Sequence, residues 1–112
     1  MILISYGDFN KTKKIFSYDR YGIHTLPIFE DPAAAKDFLD ILHANYDKNT
    51  KFQLCHCNDK QHLKDIIDLI TIAAADLQQV IIDPILTQEK RPERIRICEN
   101  IKNIHTYRES LN

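Results

Sequence analysis

The cluster Cys55-His56-Cys57, with His62 five residues on and Cys98 far along the chain, is the constellation of this sequence with metal-ligand residue types. Structural zinc wants four ligands, usually with paired cysteines two to four residues apart, and a C-x-C spacing is not that. On a strand, Cys55 and Cys57 share a face with their Cα atoms about 6.6 Å apart. They could share a soft metal with His62, or serve as small apolar residues near a strand end. A Cys–His nucleophile pair needs an electropositive setting that no spacing here selects. His24 lies beside Thr25 in a strand-like run, and His43 falls near a helix C-terminus, where an imidazolium is favourable.

The carboxylates pair as Asp37 with Asp40 and Asp65 with Asp68, each an i,i+3 couple on the outer side of a helix, the pattern of a solvated face. Asp83, between Ile82 and Pro84 at a strand's C-terminal end, stands where α/β folds often hold ligands. It can equally brace the turn into Pro84. Asp83 and His24 are therefore the candidate ligand-binding residues, and no catalytic residue is assigned. Basic residues interleave with aromatics twice, around Lys13 and Lys14 and around Arg91, Arg94 and Arg96, which suits phosphate contact and base stacking. Net charge is −1 over 112 residues: +2 in residues 1–29, −5 in 30–83 and +2 in 84–112. A pI near 6.5 argues against a dedicated nucleic-acid binder, so this stays an alternative.

With two glycines in all, Gly7 and Gly22, neither a phosphate-cradling loop nor a dinucleotide fingerprint can be written, so no cofactor is expected. A G-x-S-x-G elbow is equally impossible, and Ser5, Ser17 and Ser110 carry no signature. The start Met1–Ser5 lacks a charged flank and stops at Gly7 and Asp8, unlike a signal peptide. The longest uncharged apolar stretch, Leu69–Ala75, is far short of the roughly 20 residues that span a bilayer. An odd cysteine count without a secretory signal points to free thiols and the cytoplasm.

These side chains need a scaffold. Met1–Tyr6 reads as a buried strand, and Lys14–Tyr18 and Ile23–Phe29 as two strands joined by Asp19-Arg20-Tyr21-Gly22, with Gly22 supplying a positive φ. Pro27 has no N–H for a ladder, which places the second of these at a sheet edge or at a bend. Asp31-Pro32 opens a helix with Ala34, Ala35, Phe38, Leu39, Ile41 and Leu42 inward, fraying near Asn45. Residues 52–57 alternate as a strand. Asn58 caps a second helix with Gln61 in capping-box position, and Leu63, Ile66, Ile67, Ile70, Ala73 and Ala74 form its apolar stripe. Gln79–Asp83 is a strand ended by Pro84, and Arg94–Cys98 a further one. The tail Glu99–Asn112 suits helix or strand.

The result is one domain over residues 1–112: a compact α+β (or α/β) fold with a mixed sheet and two amphipathic helices, in the order β-ββ-α-β-α-β-β plus tail. Leu26-Pro-Ile-Phe-Glu-Asp-Pro-Ala-Ala-Ala-Lys-Asp-Phe-Leu39 and Val80-Ile-Ile-Asp-Pro84 resemble the SseB-type N-terminal domain, over about residues 14–84. That family's Asn before proline is Asp83 here, and its usual Thr-Ser cap is Glu30-Asp31. Gly22-Ile-His-Thr-Leu26 with Phe29-Glu-Asp31 is similar to a small cyanobacterial protein family. Neither resemblance implies a catalytic residue. The sequence thus leads to a non-enzymatic module for protein–protein contact or small-ligand binding, with a protein partner or a second copy and no membrane. The alternatives are an anion or nucleic-acid binder and a thiol or metal protein around Cys55 and Cys57.

Overall fold

A strand that is apolar on both faces must be covered on both, and β1 (Ile2–Tyr6) is such a strand, buried from Ile2 to Ser5. A computed structural model describes residues 1–7, 14–46, 50–84 and 100–112. After β1 come β2 (Lys14–Ile15), β3 (Tyr18–Arg20), β4 (Ile23–Ile28), α1 (Pro32–Asn45), β5 (Phe52–His56), α2 (Lys60–Ala73), β6 (Leu77–Ile82), β7 (Ile101–Asn103) and α3 (Ile104–Ser110). The α+β class holds, but the strand expected over Lys14–Tyr18 is split, Lys14–Ile15 pairing in one sheet and Tyr18–Arg20 in another. The strands form two sheets, an antiparallel β2-β1-β5 and a mixed β3-β4-β6-β7, and a third helix is present. Reciprocal backbone hydrogen bonds of 2.8 Å between Ile2 and Phe29 join the sheets.

Helices lie on both sides. Ile2, Ile4, Phe16, Phe29 and Phe52 meet Ala35, Phe38 and Leu42 of α1 in one core cluster. Leu3, Leu26, Ile28 and Val80 meet Leu63 and Ile67 of α2 and Ile104 and Tyr107 of α3 in another. Alternation along β1 and β4 thus feeds two cores, which makes a three-layer sandwich.

Local chemistry accounts for most boundaries. Asp31 caps α1 by accepting from the Ala33 N–H at 2.9 Å, with Pro32 at the first helical position. The β3–β4 turn is shorter than expected. Only Tyr21 (φ 52) and Gly22 (φ 80) lie outside the strands, both in the left-handed region that such tight hairpins need. The α2 cap is one residue later than predicted: Asp59, not Asn58, accepts from the His62 N–H at 2.7 Å, while Gln61 bonds Asp65 instead of closing a capping box.

Pro27 corrects a further expectation, because β4 is an interior strand. Ile28 accepts from Asp83 on the β6 side, and Phe29 exchanges bonds with Ile2 on the other. Alternation turns the Pro27 nitrogen toward the side where β3 has already ended, its last pair being Tyr18↔Thr25. The missing donor falls in the gap between two partners. The tail resolves as both predicted forms in succession: β7 pairs with β6, then Asn103 caps α3 through the His105 and Thr106 N–H groups. The predicted strand Arg94–Cys98 lies outside the described residues.

Candidate functional site

His24 lies at the start of β4, where its neighbours on two other strands converge. Antiparallel pairing sets Asp19 opposite His24, so Ser17, two residues earlier, is its diagonal neighbour on the same face. Parallel pairing of β4 with β6 sets Leu77 beside His24, which brings in Asp76 from the turn that follows α2. The His24 ring bridges them, with Nε2 2.5 Å from Ser17 Oγ and Nδ1 3.0 Å from Asp76 Oδ1. Asp76 is 79% exposed, and the hydrogen bond from His24 holds its carboxyl below the usual carboxylate range. An ionised carboxylate can only accept, so Nδ1 donates to Asp76, and in the neutral ring Nε2 is then the acceptor for the Ser17 hydroxyl. Nothing in the sequence signalled Ser17 or Asp76, which stand 7 and 52 residues from His24.

Asp83 does not join this site. It stands just past the far end of β6, five residues or about 16 Å along the sheet from His24. At φ 49, its Oδ1 accepts from the Glu30 N–H (2.9 Å) and the Asp31 N–H (3.2 Å), tying β6 to the entrance of α1. The neighbouring Pro84 lines an open cleft of about 510 Å³ with Asp31, Asp37, Asp40, Phe38 and Ile41. A second cleft, about 320 Å³, runs between Tyr6, Phe16, Ser17, Tyr46, Thr50 and Phe52.

Cys57 is buried in the α2-side core, and burial, with Cys55 next in weight, pushes its thiol up, away from the thiolate that metals and electrophiles require. Cys55 is half-buried and unbridged, and His62 is exposed in the first turn of α2. Among the described residues, no three His, Cys, Asp or Glu side chains gather to hold a metal, so the geometry does not assemble the Cys55, Cys57 and His62 set. Of the basic candidates, Lys14 is exposed at the start of β2, while Lys13, Arg91, Arg94 and Arg96 lie outside the described residues. Asp68 differs from the solvated role expected of it. Both its oxygens accept from Arg108, at 2.5 and 3.0 Å, which lowers the Asp68 carboxyl and fastens α3 to α2.

The other notable surface is on α2. Leu69 and Ile72, one turn apart, are 68% and 81% exposed. They fall off the apolar stripe that packs on the sheet, within a stretch, residues 66–75, whose one charge, Asp68, is engaged by Arg108. A helix that is apolar nearly all round asks for cover on its outer side as well. No described helix is long and apolar enough to cross a membrane. No family model matches the chain, and no curated protein matches it either.

Proposed function

We propose that this chain is a protein-interaction module and that the C-terminal half of α2 is its contact surface, with a second copy as the partner. The observation that carries this is the exposure of Leu69 and Ile72 side by side on an ordered helix. A two-fold axis brings such a pair against itself, each Leu69 meeting the other copy's Ile72. The two-fold axis runs the two α2 helices antiparallel. Opposed helix dipoles favour the same orientation.

Magnitude sets the strength. Burying the two side chains contributes about 3 kcal/mol per copy, against an association cost of roughly 4–15 kcal/mol. Those two side chains alone do not outweigh that cost, so the dimer also buries the α2 surface around them, and the contact is transient and not obligate. Sedimentation velocity between about 10 μM and 1 mM should show a monomer passing into a dimer. Ile72→Glu should hold the chain monomeric throughout without loss of thermal stability. A wild-type chain that stays monomeric at 1 mM contradicts the proposal, as does an Ile72→Glu variant that dimerises equally well.

A further inference from the structure

We propose that Ser17 is an activated nucleophile that takes an acyl group from activated esters. The inference is independent of the α2 contact. It rests on the chain of hydrogen bonds from Ser17 Oγ to His24 Nε2 and from His24 Nδ1 to Asp76, at 2.5 and 3.0 Å. A hydroxyl within hydrogen-bond reach of one imidazole nitrogen, with a carboxylate on the ring's other nitrogen, meets the geometric conditions of an acyl-transfer nucleophile. The three groups come from three separate segments: the link between β2 and β3, the start of β4, and the turn before β6. Ser17 is half-buried and His24 23% exposed, so an electrophile can reach the site from solvent. The other carboxylate on this face, Asp19, is engaged by the Gly22 N–H at 2.6 Å, which leaves Asp76 as the partner of His24.

In the reaction, Ser17 Oγ attacks the ester carbonyl carbon and forms a new C–O bond while its proton passes to His24 Nε2. Collapse of the adduct breaks the bond to the leaving group, which departs with the electron pair, and acyl-Ser17 remains. His24 then returns its proton to water. A second water gives a proton to His24 as it attacks the acyl carbon, and His24 passes that proton to Ser17 Oγ as the bond to the acyl group breaks, so the carboxylic acid leaves and the hydroxyl is restored. General-base assistance of this kind contributes about 10²–10⁴-fold, enough for esters whose leaving groups depart without protonation. The substrate class is accordingly an activated ester such as an aryl ester. His24 acts as the base, and Asp76 is a positioning residue.

The test uses the full chain with p-nitrophenyl acetate and, separately, a fluorophosphonate, located by intact and peptide mass spectrometry. One adduct on Ser17 is expected. Ser17→Ala should carry no adduct in that peptide, and His24→Gln should react about 100-fold more slowly. Asp76→Asn, which favours the opposite tautomer, should slow the reaction about tenfold, a limit set by solvent around an exposed carboxylate. Asp76→Glu should retain most of the rate. If His24→Gln loses the far-ultraviolet dichroism of the parent, the Ser17 and Asp76 variants decide the matter. Adducts spread over lysines and cysteines with Ser17 unmodified would overturn the inference. So would equal rates in the parent and Asp76→Asn.

Discussion

At the residue scale, Asp83 shows why one side chain can matter without touching a ligand. Its carboxylate satisfies two N–H groups at the α1 entrance, and its backbone sits at φ 49, where Asn and Asp are the best tolerated of the non-glycine residues. Asp83→Ala should cost about 1–3 kcal/mol in urea unfolding, and Asp83→Asn, which keeps one acceptor oxygen, well under half of that. Equal losses would show that the charge, not the hydrogen bonds, matters. Tyr107 is a second case. Its hydroxyl is buried with no partner among the described residues, and burial pushes it up to about 12. Because the folded value is raised, stability is complete below pH 10 and falls between pH 10 and 12, where the unfolded chain ionises first. Tyr107→Phe should flatten that alkaline fall in thermal melts and leave neutral stability equal or higher. A variant that melts with the parent's pH dependence would show the fall to come from elsewhere.

At the element scale, α3 is too short to be stable alone and depends on its docking. Ile104, Tyr107 and Leu111 supply the apolar part, and Arg108 supplies the polar clamp to Asp68. The Asp68 value is lowered in the folded state, so this contribution is present above the carboxylate's unfolded value near 3.8 and is lost as pH falls below it. Asp68→Asn should remove that acid-side dependence and raise amide exchange in residues 104–111 first. Unchanged exchange there would show that apolar docking alone holds α3. Elements were legible from sequence where local chemistry sets them. Asp31-Pro32 announced α1, and Gly22 announced the hairpin, though not its two-residue length. They were less so where two neighbours compete, as Asn58 and Asp59 do for the α2 cap. The tail was ambiguous because Ile101–Tyr107 fits either period, and only pairing with β6 fixes its first part as strand.

For the whole molecule, the sequence carried the α+β class and both buried helix faces. The split into two sheets was not legible, because it depends on pairings between strands far apart in the chain, such as β1 with β5 and β4 with β6. The same holds for the Ser17, His24 and Asp76 grouping, which parallel pairing of β4 with β6 creates. Pro27 misled for a related reason: the residue reports a missing ladder bond, and a gap between partners satisfies it as well as an edge does. The α2 surface was not legible either: from sequence the run Leu69–Ala75 is only too short for a membrane span, and the exposure of two of its residues shows in the structure alone. The apolar run Leu69–Ala75 exceeds what one inward face can use, and the excess is Leu69 and Ile72.

That excess can be tested at its point of contact. In a mixture of isotope-labelled and unlabelled chains near 1 mM, an isotope-filtered nuclear Overhauser experiment reports only methyl contacts between copies. The predicted result is a cross-peak between Leu69 of one copy and Ile72 of the other, absent in Ile72→Glu. Intermolecular contacts confined to other residues, or none at all at that concentration, would contradict the account.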